Sequence, residues 1–380
     1  MDFELDEGQS QLRDLAAGLL DRVDGGPDLV APYDAAAWKA MAQAGLLGAC
    51  LPEDVGGAGL GPVGMAALLR EVGAHAAAVP AFATLALGAF PIARHGTPAQ
   101  RAILPAVTDG DLVLTAAVRE PGNFRPPRTV AHRSGDGFLL TGVKIVVPFA
   151  QQAAFVLVPA TVPGEGTGVF LVTPDASGVS HDPHPTASGE PASRIGLDAV
   201  RVGADALLGG RPDEVAARDV ERYAVAGAAA VMSGVLAAAL KLTTAHVQTR
   251  EQFGRPLAEF QAVTMQIADV YIAGRALDAA MWAGCWRLGA GGSAHSNTDD
   301  NTHGDTDEVL AVAACAAAGP ALRALYTCQH LHGGVGVDVT YPLHRLFAAG
   351  TQYARFLGGE GARLDVLASL LTASQAEQAR

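Results

Sequence analysis

Charge is scarce in this chain: Asp, Glu, Lys and Arg make up 17% of its 380 residues, against 49% apolar residues. That shortage excludes a disordered chain, which stays solvated through high charge and low hydrophobicity, and it suggests surface buried between subunits as well as within one. The length allows two or three domains. Basic residues are scarcer than acidic ones, 26 against 39, for a formal net charge of −13. A field of that sign repels phosphate polymers and anionic lipid, so neither nucleic acid nor a membrane is an expected partner. Cysteine is sparse too, and Cys50, Cys285, Cys315 and Cys328 lack the close paired spacing of a zinc site. Met1-Asp2-Phe3-Glu4-Leu5-Asp6 is acidic where a secretory signal is basic. A cytoplasmic protein with free thiols is expected.

Other absences narrow the chemistry. No Walker loop, hydrolase elbow or Gly-x-Gly-x-x-Gly after a strand occurs. Charge is also missing from Tyr223 to Leu240, a run about as long as a membrane-spanning helix needs. It is built mainly of alanine, glycine and valine, contains Ser233, and is flanked by Glu221-Arg222 and Lys241. Small residues let helices approach closely, so a helix buried in a soluble bundle is the expectation.

What is present falls into three stretches. Residues 1–111 read as helices: Leu12, Leu15, Ala16 and Leu19 recur on one helical face, and Trp38 with Met41 begins another. Thr97-Pro98-Ala99-Gln100 combines a capping residue, a proline at the first helical position and the Gln of a capping box. Residues 112–211 form a small β domain, with short runs at Phe138–Thr141, Ala154–Val158 and Gly168–Val172 bounded by Gly, Pro, Asp or Ser. Residues 212–380 return to alanine-rich helices, broken at 289–307 by a polar stretch expected to be a mobile loop. His295, Asp299, Asp300, His303 and Asp305 within it are metal-ligand types. Nothing nearby supplies the apolar support that fixes ligands, so no metal is expected.

Two segments of the last stretch carry more specific chemistry. Arg250-Glu251-Gln252-Phe253-Gly254-Arg255-Pro256 running to Gln261 places an Arg, an aromatic and a Gln beside a turn between helices. His330-Leu331-His332-Gly333-Gly334-Val335-Gly336-Val337 puts glycines at a helix-to-loop turn. Glycines let a backbone come close to a ligand, and an Arg can grip a phosphate with two prongs. With Gly45-Leu46-Leu47-Gly48, Leu51-Pro52-Glu53, Glu120-Pro121-Gly122 and Gly142-Val143-Lys144, these segments make the chain resemble the acyl-CoA dehydrogenases over essentially its whole length. The resemblance implies a mostly helical α+β fold: an N-terminal helical domain, a central β-barrel or sandwich domain and a C-terminal four-helix bundle. It further implies FAD between subunits, and removal of an α proton and a β hydride from an acyl-CoA thioester.

That reaction needs a carboxylate base. By the resemblance, the two places where the family carries its Glu fall on Leu357 and Ala224, neither of which accepts a proton. Glu360, just beyond the first, becomes a candidate base only through a register shift in the Gly358-Gly359 turn. The flavin-ring side departs as well. The family's Thr-Glu-Pro loop reads Arg119-Glu120-Pro121-Gly122-Asn123-Phe124-Arg125 here, and Val146 and Pro148 stand where an aromatic and a hydroxyl residue cover the ring. What survives is the set that in the family crosses an interface to the adenine-diphosphate half of a neighbour's FAD: Arg250, Phe253, Gln261, Gly333 and Gly334, with His330, still a hydrogen-bond donor, where the family has a Gln.

Loss of the first set with retention of the second describes a non-catalytic subunit. The His330–Pro342 segment is similar to the small subunits of bacterial α2β2 dehydrogenases that act on steroid side-chain thioesters. The implied partners are a catalytic dehydrogenase subunit, an acyl-CoA substrate and an electron-transfer flavoprotein. Two alternatives stand beside this reading: a self-sufficient homo-oligomer using Glu360, and a redox-inert scaffold.

Overall fold

The structure, a computed structural model, describes residues 4–22, 33–122, 126–290 and 301–378, with backbone alone at 301–305, 374 and 376–378. In chain order the main elements begin with helices α1 Glu7–Leu20, α2 Ala35–Gln43, α3 Gly61–Ala74 and α4 Phe90–His95. Strands follow: β1 Leu114–Ala116, β2 Val130–Ser134, β3 Gly137–Pro148, β4 Phe155–Val162, β5 Gly166–Val172, β6 Val179–Pro185 and β7 Pro191–Gly203. The last stretch holds α5 Glu214–Thr249, α6 Gln261–Ala290, α7 Asn301–Ala318, α8 Pro320–His332, α9 Pro342–Phe356 and α10 Gly359–Gln378. The chain forms two compact units, one from residues 1–25, 66–77 and 225–380, the other from 26–65 and 78–224.

The second unit holds the sheet, ordered β1-β4-β2-β3-β7-β6 with β5 added on β4. Its core is closed by Phe138, Leu140, Val156, Val158, Phe170 and Val200, and the Phe138 and Phe170 rings meet edge to face at 5.0 Å. The helix start at Thr97 forms as its sequence dictates: Thr97 accepts from the Gln100 backbone and Gln100 reaches back to Thr97. Gln100 also donates to the carbonyls of Asp205 and Leu207, at 2.7 and 3.0 Å, so one capping residue fastens the end of the sheet region.

At the start of α5 the fully buried Asp219 accepts from His95 Nε2 at 2.8 Å and from Arg222 at 2.9 Å, and pairs with Arg94 at 3.0 Å. Burial pushes the Asp219 carboxyl up, but the His95 hydrogen bond and the charges of Arg94 and Arg222 outweigh it and hold the group below the usual carboxylate range.

The first unit is helical. On α1 the buried residues are Leu12, Ala16 and Leu20, whereas Leu15, expected on that face, is half exposed: the stripe runs at i, i+4, i+8. Helices α3 and α5 cross with their backbones in contact. A Cβ on Gly73 would fall on the Val231 carbonyl, and one on Gly234 on the Arg70 carbonyl. Only glycine permits that approach. Among the described residues two spans, Glu214–Thr249 and Thr306–Val337, are long and apolar enough to cross a membrane; the apolar window of the first is 83% buried, as in a core helix. The expected loop at 289–307 is shorter than its composition suggests. Helix α6 runs through Ala290 and α7 starts at Asn301, while 291–300 lie outside the described residues. Once the buried Leu310, Ala313, Ala314 and Ala317 anchor α7, each preceding residue extends it at the cost of ordering one residue per bond gained.

Candidate functional site

The Arg250 segment begins where α5 ends. The Arg250 N–H donates to the His246 carbonyl at 2.8 Å, and the Arg250 carbonyl accepts from Leu257 N at 2.9 Å, closing the connection to α6. Between them Glu251 and Gln252 pair with Pro256 and Arg255 in a two-residue hairpin whose tip, Phe253 and Gly254, has φ of +54° and +80°. Positive φ at both tip residues suits the twist of a tight hairpin. It is costly for a phenylalanine, and Phe253 is nonetheless 92% exposed, its ring edge to face with that of Phe260 at 6.2 Å. Gln261, the first residue of α6, is exposed too. No carboxylate among the described residues pairs with Arg250.

The second segment lies at the end of α8. Gly333, with φ +62° and ψ −140°, stops the helix in a conformation essentially reserved for glycine. Gly334 differs: its φ is not positive, and a Cβ placed on it would meet nothing within 4 Å. Nothing among the described residues requires a glycine at 334. His330, Gly333 and Gly334 are exposed, as are Val337 and Val339 beyond them, at 60% and 70%. The Arg250 and Gly333 segments meet at one end of this helical unit, where the His246 and His332 rings stack at 4.3 Å with 21° between their planes. The sequence motif includes His332 but gives no sign of His246, which sits one helical turn before Arg250.

The two positions to which the resemblance assigns the base are apolar and buried. Leu357 is 3% exposed at the end of α9, and Ala224 is equally buried in α5. Glu360 lies in the first turn of α10, where a carboxylate favours the helix dipole. Its Oε2 accepts from Arg323 at 2.6 Å, so the carboxylate is committed to a guanidinium on α8.

In the sheet unit, the Glu120 loop is fastened from below. Lys144, 1% exposed, donates to Glu120 at 2.6 Å and to the Pro159 carbonyl at 2.7 Å, while Glu120 accepts from Arg128 N, Thr129 N and the Thr129 hydroxyl. Burial pushes the Lys144 ammonium down to about 8, against the pull of Glu120. Both residues belong to motifs readable in the sequence; their pairing does not. Beyond Lys144 a bulge interrupts the register with β7, and Val146 sits in it at φ +52°. Pro148 is buried at the strand end, with no N–H and no hydroxyl to offer. Asn123, Phe124 and Arg125 lie outside the described residues.

Comparison with known proteins bears on the family of the chain. Two family profiles match: acyl-CoA dehydrogenase, N-terminal domain, over residues 9–111, and acyl-CoA dehydrogenase, C-terminal domain, over 216–367. The acyl-CoA dehydrogenase FadE28 of Mycobacterium tuberculosis is 37% identical over 97% of this chain and 98% of its own length. Among solved structures, a variant of the Tcur3481-Tcur3483 steroid ACAD superposes with a TM-score of 0.88 at 39% identity, covering 98% of this chain and 100% of that one. The ChsE4-ChsE5 complex of M. tuberculosis superposes at 0.86 and 30% identity, covering 98% and 99%.

Proposed function

Because the chain belongs to the acyl-CoA dehydrogenase family, FAD-dependent oxidoreductases acting on CH–CH bonds, we propose that it is the non-catalytic subunit of a heteromeric member, lending trans contacts to the FAD of a catalytic partner. The observation that carries this is the bare turn at Gly333-Gly334, a glycine that no described packing needs, linked through the His332–His246 stack to an Arg250 segment whose guanidinium no described carboxylate neutralises. Both fit a ligand held mainly by another chain.

When bound, FAD supplies the hydride acceptor. Its two halves fare differently against these residues. The diphosphate half suits the set present: Arg250 offers a guanidinium, Gln261 and His330 offer side-chain donors, and the Gly333-Gly334 backbone offers close approach without a Cβ. The ring half does not suit the β domain of this chain, where Val146 and Pro148 provide neither an aromatic cover nor a hydrogen-bond donor. No step of the reaction is assigned to that side.

Names of similar proteins support the finer reading. The ChsE4-ChsE5 structure is a complex of two chains, and the Tcur3481-Tcur3483 protein is a steroid ACAD. The proposed assembly is accordingly an α2β2 heterotetramer in the cytoplasm, acting on a steroid side-chain thioester and passing electrons to an electron-transfer flavoprotein.

The reading requires that Glu360 is not the base. Glu360→Gln in the purified complex should leave turnover within about twofold, since its pair with Arg323 is half exposed and worth at most about 1 kcal/mol. Removing a true base lowers turnover about 10²- to 10⁴-fold. A fall of that size would replace this proposal with the self-sufficient enzyme.

A further inference from the structure

The stacked histidines join the two segments assigned to the flavin, and their rings are held by contacts of more than one kind. His332 Nδ1 lies 2.9 Å from the Cys328 carbonyl oxygen, which only accepts, so Nδ1 carries the proton and donates it. That fixes the neutral tautomer and leaves Nε2 with a lone pair. Nε2 is buried and meets no hydrogen-bond partner among the described residues. Hydrogen bonding therefore holds one edge of the ring, and the stack on His246 holds its face, with Tyr341 tilted against it at 5.3 Å.

The other ring is tied to Arg250. His246 lies one helical turn before it, and the His246 carbonyl accepts the Arg250 N–H at 2.8 Å. Fixed contacts thus run from Gly333 through the His332 ring, across to the His246 ring, and along one turn of α5 to Arg250. Burial pushes both imidazoles below their ordinary range, and His332 and Arg250 add to the effect on His246, so neutral rings stack without charge repulsion at neutral pH.

We infer that His246 and His332 are positioning residues: their stack sets the spacing between the Arg250 guanidinium and the bare Gly333-Gly334 backbone, and thereby shapes the diphosphate contact this chain lends to its partner. The inference rests on the trans-contact reading above. A charge-assisted grip works only at hydrogen-bond distance, so two donor groups on separate helices need a fixed separation.

The test is FAD titration into the deflavinated complex of this chain with its partner. His246→Ala and His332→Ala should each weaken FAD binding about tenfold, the scale of one aromatic pair. The double variant should be no weaker than the weaker single, because either ring alone has nothing to stack on. Leu325→Ala, in the same helix and fully buried, should lower the unfolding temperature and leave FAD affinity unchanged, separating positioning from general loss of stability. Arg250→Met is run in parallel. If it too binds FAD as the parent does, the trans-contact reading fails. If it weakens FAD while either histidine variant binds like the parent, or while the two losses multiply to about a hundredfold, the positioning role is overturned and the rings serve packing alone.

Discussion

Purified without a partner, the protein is expected to show no acyl-CoA dehydrogenase turnover, and adding the catalytic subunit should restore it. On the proposed reading, both base positions are occupied by buried hydrocarbon, Leu357 and Ala224. Loss of a general base alone removes about 10²- to 10⁴-fold. The nearest candidate carboxylate, Glu360, is held by Arg323 and would have to leave that guanidinium to act. On the proposed reading the ring side compounds the deficit, because Val146 and Pro148 would leave a flavin without an aromatic cover or a hydroxyl donor. Steady-state assay of the isolated chain against the complex measures the difference, and turnover by the isolated chain at a rate near that of the complex would sink the prediction.

Arg250→Met should weaken FAD binding by the complex roughly thirty- to hundredfold, since a charge-assisted and bidentate phosphate contact contributes about 2–3 kcal/mol. The competing explanation, a surface Arg paired with a neighbouring carboxylate, allows at most about 1 kcal/mol and no change in flavin retention. The structure already weakens that explanation, because no described carboxylate engages Arg250. Methionine retains the stem of an exposed side chain, so the oligomer should persist. Equilibrium titration of FAD gives the affinity, and size-exclusion chromatography confirms the assembly.

Local signals in the sequence carry far, and their limits are physical. The capping box at Thr97, the short apolar runs of β3, β4 and β5 and the uncharged core of α5 are written in neighbouring residues, and each forms as expected. The glycine stop after His332 is readable for the same reason. Period alone gives the wrong face for Leu15, because several helical registers share three of their four apolar positions. Polar composition overstates the loop near 289–307, since a helix extends outward from an apolar anchor regardless of whether its first turn is polar. What no local pattern reveals is pairing across the chain. Glu360 with Arg323, Asp219 with Arg94 and His95, and His246 with His332 are joined by helix packing, and nothing in the spacing of either partner announces the other. The residues of the proposed site are therefore visible as segments, while the contact that brings the segments together is not.

Flavin absorbance per polypeptide in the purified complex tests the division of labour most directly. If each competent site takes its ring contacts from the partner and its diphosphate contacts from this chain, the complex holds about one half FAD per chain. About one FAD per chain would mean that the β domain of this protein binds a flavin ring despite Val146 and Pro148, and the claim that it only completes its partner's site would be wrong.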